Sequence, residues 1–307
     1  MSMSKRGWIL FASLGIIWGT PYSFIRVAVE SLSPAVVVCG RMALAVVLLM
    51  PFALKEKPIE TWRKYWPGII MLAAVEMIVP FGALSIAEQH ISSSLAGLLI
   101  AGVPITTGLL LRRINHDDQW DKRRVLGLAV GMSGIVALVG LDIRADNWWS
   151  IALCFIAVLG YALGPIVITT KLDGAPDLAS IVLAQAVAFT AYLPILLWQL
   201  SNGTWQTQHA RAVGVPINAW LSVAGLGVLC TAIAFALLFK LIAEVGPSRT
   251  TVITYINPAV AILLGVVFLN EPFTLGLAVG FPLVLIGSVL ATRKQTVVSE
   301  SPEGAVA

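Results

Sequence analysis

Charge is what this sequence has least of. Asp, Glu, Lys and Arg make up 12% of its 307 residues, against roughly 25% in an ordinary soluble domain. That deficit excludes a soluble globular enzyme, a coiled coil and a disordered chain. Cysteine is nearly absent too. Cys39, Cys154 and Cys230 all sit inside apolar runs, and an odd count buried in such runs argues against a disulfide framework. The three histidines, His90, His116 and His209, lie in or near connections between those runs, so no Cys/His cluster offers a metal site. No Gly-x-x-x-x-Gly-Lys-Ser/Thr loop is present, which excludes ATP hydrolysis by this chain. The connections are too short to house a soluble active site, and no cofactor is expected.

What the sequence has in abundance is apolar length. Hydrophobic residues make up 58% of the chain and the mean hydropathy is +0.89. Ten runs are each long enough to cross a bilayer as a helix: 7–28, 34–54, 66–87, 91–113, 124–141, 148–170, 178–200, 217–240, 247–269 and 273–292. The ten-residue polar/apolar alternation of a membrane β-barrel is missing. The expected fold class is therefore all-α: a polytopic membrane protein of ten transmembrane helices. The first run, from Trp8, lacks a small-residue cleavage site and reads as a retained helix.

Orientation follows from the basic residues. Sixteen Lys and Arg fall at the N-terminus, in the even-numbered connections and in the tail, whereas the odd-numbered connections hold only Arg144 and Arg211. By the positive-inside rule both termini are expected in the cytoplasm. The basic balance, +4 at pH 7, is thereby a matter of topology, and no nucleic-acid partner is expected. Nine of the ten tryptophans lie at or near span ends, as an interfacial belt requires. Trp18 alone falls mid-span.

The chain repeats itself at a period near 150. Leu126-Gly127-Leu128-Ala129-Val130-Gly131 recurs as Leu275-Gly276-Leu277-Ala278-Val279-Gly280. Gly15-x-x-x-Gly19 before Pro21 recurs as Gly160-x-x-x-Gly164 before Pro165, Pro104 recurs as Pro258, and Ala87-Glu88 as Ala243-Glu244. Five spans per half is an odd number, so the second half must start on the opposite face. The expectation is an inverted five-plus-five repeat over 1–143 and 144–292, followed by a disordered cytoplasmic tail, 293–307. Inverted repeats suit alternating access around a shared midplane site. The Gly-x-x-x-Gly pairs serve close helix packing, and a homodimer face on Gly127/Gly131 and Gly276/Gly280 is left open. Pro21 and Pro165 mark matched weak points in spans one and six, read either as packing kinks or as a gate.

Ionisable groups at membrane depth are costly, about 2.5–3.5 kcal/mol on insertion scales, and so point to function. Arg41 and Glu76 lie mid-span, at depths that differ by about 6 Å at the helical rise. Two readings stand for them: a structural ion pair between spans two and three, or a Glu76 that faces the cavity to bind a substrate amine or carry a proton. Arg26, near the outer end of span one, is expected to snorkel to the interface. Trp18, Tyr22 and Tyr161 cluster around the proline weak points, where such rings pack in the core or stack on a ligand. Asn257, after Tyr255 and before Pro258, must face the interior. Thr106 and Thr107 are expected to bond carbonyls of their own helix.

Ala243-Glu244-Val245-Gly246-Pro247-Ser248-Arg249-Thr250-Thr251, running on to Tyr255-Ile256-Asn257-Pro258-Ala259-Val260-Ala261 and Phe268-Leu269-Asn270-Glu271-Pro272, resembles the EamA module of the drug/metabolite transporter superfamily. Ile17-Trp18-Gly19-Thr20-Pro21 resembles that module's opening, and Arg41 its second-helix arginine. The resemblance spans nearly the whole chain as two modules. It implies ten helices, a five-plus-five inverted fold and export of amino acids or other small metabolites. The sequence departs from equal halves: Asp117 stands alone opposite Glu271-Pro272, and Gln185 opposite Arg41.

The functional expectation is a secondary transporter in a bacterial inner membrane, exporting amino acids or similar small metabolites by alternating access. Its partners would be a small-molecule substrate and the lipid bilayer. Trp18, Tyr22, Glu76, Tyr161, Tyr255 and Asn257 are the candidate substrate-binding residues. Arg41, Pro21, Pro165, Pro104 and Pro258 are candidate structural or gating residues. A channel-like facilitator is the alternative. An integral membrane enzyme would need clustered Asp, His or Ser near one interface, which the sequence lacks.

Overall fold

Backbone amides in a lipid core must bond within their own segment, so long apolar runs become helices. The computed structural model describes residues 4–114, 122–142, 148–245, 253 and 256–292, and every regular element among them is helical. Seven helical stretches are long and apolar enough to cross a bilayer: Lys5–Val29, Pro34–Glu56, Pro58–Ala87, Ser93–Leu110, Trp148–Lys171, Asp177–Ser201 and Ile217–Ile242. Three shorter apolar helices, Val125–Leu138, Asn257–Phe268 and Leu275–Leu290, lie where the sequence places spans five, nine and ten. The chain is a multi-span membrane protein.

Several spans are interrupted, and the interruptions have local causes. Helix α1 (Lys5–Gly19) starts at Ser4, whose hydroxyl accepts from the Gly7 amide at 2.9 Å. It stops at Thr20, because Pro21, opening α2 (Pro21–Val29), has no N–H to continue the ladder. Helix α3 (Pro34–Ala53) is capped by Ser33. Helix α4 (Pro58–Ala73) runs into a π-helical turn, π1 (Ala74–Ile78), and on into α5 (Val79–Ala87). Pro80, in the first turn of α5, lacks the amide that would otherwise bond back toward Glu76. The next span divides at Ala101-Gly102 into α6 (Ser93–Ile100) and α7 (Val103–Ile114). Thr106 and Thr107 bond the carbonyls of Gly102 and Val103, four residues back, as expected.

Beyond these come α8 (Lys122–Asp142), α9 (Trp148–Lys171), α10 (Asp177–Ser201) and a short α11 (Gln208–Val213). Helix α12 (Ile217–Ala224) passes through a second π-helical segment, π2 (Gly225–Ile233), into α13 (Ala234–Val245). Helices α14 (Asn257–Phe268) and α15 (Leu275–Thr292) complete the described chain. The two halves differ at their prolines. Pro21 breaks its span, but its counterpart Pro165 lies inside an unbroken α9. The α9 ladder loses the bond from residue 165 alone, and Gly160 and Gly164 let α9 pack closely on π1 and α5.

The packing repeats with the halves exchanged. Helix α13 lies on α1 as α5 lies on α9, α3 on π2 as α10 on π1, and α14 on α1 as α7 on α9. Like pairs with like in α3 with α10, α6 with α14, and α8 with α15. The α8–α15 contact uses the glycine runs: a Cβ at Gly134 would meet the Gly280 carbonyl at 3.0 Å, and one at Gly287 would strike Gly131. Those small-residue faces are thus filled from within the chain.

One end of the bundle is closed by backbone pairing. Residues Leu32 and Gln206 form an isolated antiparallel bridge. Around it, the Ser33 amide donates to the Trp205 carbonyl and the Thr207 amide to the Ser31 carbonyl, both at 2.9 Å. Underneath, α2 packs on α6 and α12.

Candidate functional site

The broken and π-helical stretches line a cavity of about 390 Å³. That volume suits a small metabolite. Of the sequence-derived candidates, Trp18, Tyr22, Glu76, Tyr161 and Asn257 all lie on its wall, together with Arg41, Pro21, Pro104, Pro165 and Pro258. Tyr255 lies outside the described residues. Helices of both halves contribute, so the site exists only when the halves are packed together.

Arg41 enters the cavity from α3 and is only 8% exposed. Its guanidinium carbon stands 3.8 Å from the centroid of the Phe81 ring, a cation–π contact. Its Nε donates to Thr231 Oγ1 at 3.0 Å, and that hydroxyl in turn donates to the Leu226 carbonyl at 2.8 Å. The π2 segment therefore orients the arginine. Glu76, on π1, seats its carboxylate in the niche that Gly164 leaves by lacking a Cβ. One sequence reading is thereby corrected: among the described residues no ion pair joins Arg41 to Glu76.

The remaining wall is aromatic and apolar. Trp18 meets Phe235 edge-to-face with centroids 6.4 Å apart, and Phe81 lies 6.4 Å from Tyr161. Met42, Met77, Ile25 and Leu84 fill the gaps. With its amide nitrogen turned toward acceptors, Asn257 donates to the Gly15 and Ile253 carbonyls, both at 3.1 Å. It thus ties span nine to span one. Gln185, the repeat mate of Arg41, also lines the cavity; it is 0% exposed, and among the described residues its amide has no hydrogen-bond partner.

Above the cavity lies a second polar group of side chains. Arg26, at the end of α2, donates from its Nη1 to the Glu88 carbonyl at 2.6 Å, and its Nε pairs with Glu30 at 3.6 Å. The helix end at Ala87 brings that carbonyl within reach, so the guanidinium is held at the bundle. Glu271 accepts from the Ser93 amide at 2.7 Å, the Ser94 amide at 3.0 Å and the Ser94 hydroxyl at 2.5 Å. A carboxylate from the second half thus caps the N-terminus of α6 in the first, where the helix dipole favours negative charge. Between them the Glu88 carboxyl, 0% exposed, stands in the short connection after α5. Burial pushes its pKa well above the ordinary carboxylate range; neighbouring Glu271 adds to the shift and Arg26 partly offsets it.

Sequence reasoning missed Phe81 and Thr231 as partners of Arg41, and missed Glu271 as a cap. The first two are ordinary residues of an apolar helix and carry no signal. The third had one, since Ser92-Ser93-Ser94 before an apolar run is a helix start that needs acceptors.

Comparison with known proteins agrees with this architecture. The profile of the EamA-like transporter family matches residues 5–140 and again 148–293. An "uncharacterized inner membrane transporter YedA" of Escherichia coli K12 is 28% identical over 83% of this chain and 80% of its own length. A "probable terminal-alkyne amino-acid exporter" of Streptantibioticus cattleyicolor is 26% identical over 94% of this chain and 92% of its own. An "uncharacterized transporter" of Archaeoglobus fulgidus is 24% identical over 94% and 99%. A solved crystal structure shares the fold, with a TM-score of 0.64 at 16% identity over 95% of this chain and 97% of that one. With two matches in tandem over nearly its whole length, the chain belongs to the EamA-like transporter family.

Proposed function

We propose that this protein is a secondary carrier that exports amino acids or similar small metabolites across a bacterial inner membrane by alternating access. The observation that carries the reading is the cavity itself. It lies between the two family modules, draws Trp18, Arg41 and Glu76 from one and Tyr161, Thr231 and Asn257 from the other, and holds charged groups at membrane depth.

In this reading the chain has ten spans, two five-helix units over 1–143 and 144–292, and both termini in the cytoplasm. The packing pairs that recur with the halves exchanged support a two-fold relation between the modules, and the odd number of spans expected in each makes that relation an inverted one. The sixteen-to-two distribution of basic residues supports the orientation. It assigns the end closed by Leu32 and Gln206 to the outside, so the arrangement described is closed outward. The exporter name of the Streptantibioticus relative supports the substrate class.

Counterflow tests the reading. Purified protein in liposomes preloaded with a mixture of unlabelled amino acids is expected to accumulate radiolabelled L-leucine or L-phenylalanine transiently and saturably. Uptake that rises linearly with concentration, with no overshoot, would identify a channel-like facilitator instead.

A further inference from the structure

The connection after α5 is wired to the closed end by a chain of bonds. Arg26 donates to the Glu88 carbonyl at 2.6 Å and pairs with Glu30 at 3.6 Å. The Glu30 carbonyl accepts in turn from Thr207 Oγ1 at 3.0 Å, next to the bridge at Leu32 and Gln206. Just past Glu88, Ser93 and Ser94 are held by Glu271 of the second half. Leu32, Ala87, Ile91 and Cys154 belong to one apolar core. A change of charge at Glu88 is therefore felt where the halves meet.

Charge at this connection does not balance. The carboxyl groups of Glu30, Glu88 and Glu271 lie around one guanidinium. Arg26 spends its Nε on Glu30 and its Nη1 on the Glu88 backbone, so neither bond goes to the fully buried Glu88 carboxyl. Glu271 has the start of α6. The other groups near Glu88 are Tyr22 from α2, Cys154 and Tyr161 from α9, the Ser93 and Ser94 hydroxyls of α6, and His90 in the same connection. Arg41 of α3 is engaged by Thr231 and Phe81. A carboxyl buried without a counter-charge of its own keeps its proton.

The repeat mate of Glu88 stands in the opposite surroundings. Glu244 is exposed, accepts from the Ser4 hydroxyl and pairs with Arg6 at 3.5 Å. In a carrier whose halves exchange conformations, Glu88 meets water as Glu244 does once the outer end parts.

We propose that Glu88 is a proton-binding site that governs the outer end: protonated, it holds that end shut, and ionised, it lets the end part. This rests on the carrier reading and adds a control to it. Glu88 does not line the cavity, so its proton answers to the outer solution and not to the substrate. The closed end raises the pKa of Glu88, whereas a carboxyl in water keeps its ordinary value. Closure is thus fully favoured below the ordinary glutamate range, and weakens by up to about tenfold per pH unit until the raised value is passed.

The test reads the outer end directly. Leu32, fully buried there, is replaced by Cys in the full-length detergent-purified protein. Its reaction with a charged methanethiosulfonate is followed on its own peptide by mass spectrometry, apart from the three buried native cysteines. The same rate is measured in Leu32→Cys/Glu88→Gln, so that the titration of the thiol cancels in the ratio of the two. The ratio of the single to the double variant is expected to be lowest at about pH 5 and at least about tenfold higher by about pH 8. Glu88→Asp in place of Glu88→Gln keeps a titrating carboxyl, and its labelling is expected to rise with pH as the single variant's does. A flat ratio would overturn the proton site. So would labelling in Glu88→Asp that follows Glu88→Gln, which would make Glu88 a packing residue.

Counterflow separates this proposal from the reading beneath it. A flat ratio with saturable counterflow retained overturns the proton site and leaves the carrier standing. A rising ratio without any saturable counterflow supports the proton site and removes the carrier reading.

Discussion

Gly164 shows how much one missing side chain can do. It is the seat of a carboxylate: a Cβ there would overlap the Glu76 carboxyl and its Cγ. Gly164→Ala is expected to destabilise the protein by about 1–3 kcal/mol, the usual result of adding a methyl group to a filled site. In a Glu76→Ala background the same change should cost much less, because the overlapping group is gone. Melting of the four proteins of this cycle in detergent checks it, and equal losses in both backgrounds would show that the glycine serves helix packing alone. Thr231 is the complementary case. Thr231→Val keeps the shape but leaves the Arg41 Nε without its acceptor, a loss of about 1.5–3 kcal/mol for a bond to a charged group. Thr231→Ser should restore most of it, which a purely steric role for the β-methyl would not allow.

At this scale the sequence was legible wherever chemistry clashed with surroundings. Arg41, Glu76 and Asn257 stand out because charged and amide groups at membrane depth are expensive, and all three line the cavity. Phe81, Met77 and Thr231 do not stand out, because their types are common in any apolar helix. The lack of an ion pair between Arg41 and Glu76 was illegible for another reason: depth along a helix says nothing of which neighbour a side chain turns toward.

Helices carry the next level of the argument. The runs of apolar residues were readable, and so was the break at Pro21. The two π-helical segments were not, because the pattern of an apolar run does not encode a local change of winding. They occupy comparable places in the third span and its repeat mate, and each supplies the cavity: Glu76 from π1, Cys230 and Thr231 from π2. Such segments often mark functional sites. Capping makes an element-scale prediction. Glu271 satisfies two backbone amides at the start of α6, so Glu271→Ala should cost about 0.5–2 kcal/mol, the range for loss of an N-cap. Thermal melting in detergent measures it.

The Glu88 connection predicts a pH dependence. A carboxyl whose pKa is raised on packing favours the packed arrangement while protonated. That stabilisation is complete at acid pH and is lost as the pH rises through the raised value. The groups around it are Tyr22 and Arg26 from α2, Cys154 and Tyr161 from α9, and Glu271. Glu88→Gln is neutral at every pH. Its melting temperature should therefore match the wild type at acid pH and exceed it by a widening margin as pH increases. A constant difference between the two proteins would show that Glu88 does not titrate in this range.

For the whole molecule, the decisive feature is that the closed end is made by segments from different halves. Residues 31–33 precede α3, and residues 205–207 follow α10. Their only regular pairing is the bridge at Leu32 and Gln206, flanked on both sides by the 2.9 Å backbone bonds. Flanking bonds of this kind make Leu32 and Gln206 a non-hydrogen-bonded pair, whose Cα atoms stand about 4.5 Å apart in an antiparallel ladder. That is within the range a disulfide spans. Alternating access requires this end to part in every cycle so that the cavity can empty outward. A Leu32→Cys/Gln206→Cys double variant should therefore lose counterflow when oxidised and regain it on reduction. Ligand binding should persist in both states, since neither Leu32 nor Gln206 lines the cavity. The three native cysteines are buried, and each single-cysteine variant controls for their chemistry. Undiminished counterflow in the oxidised double variant would mean that solute leaves without separation of the halves at this end, and a rocking carrier would no longer describe the molecule.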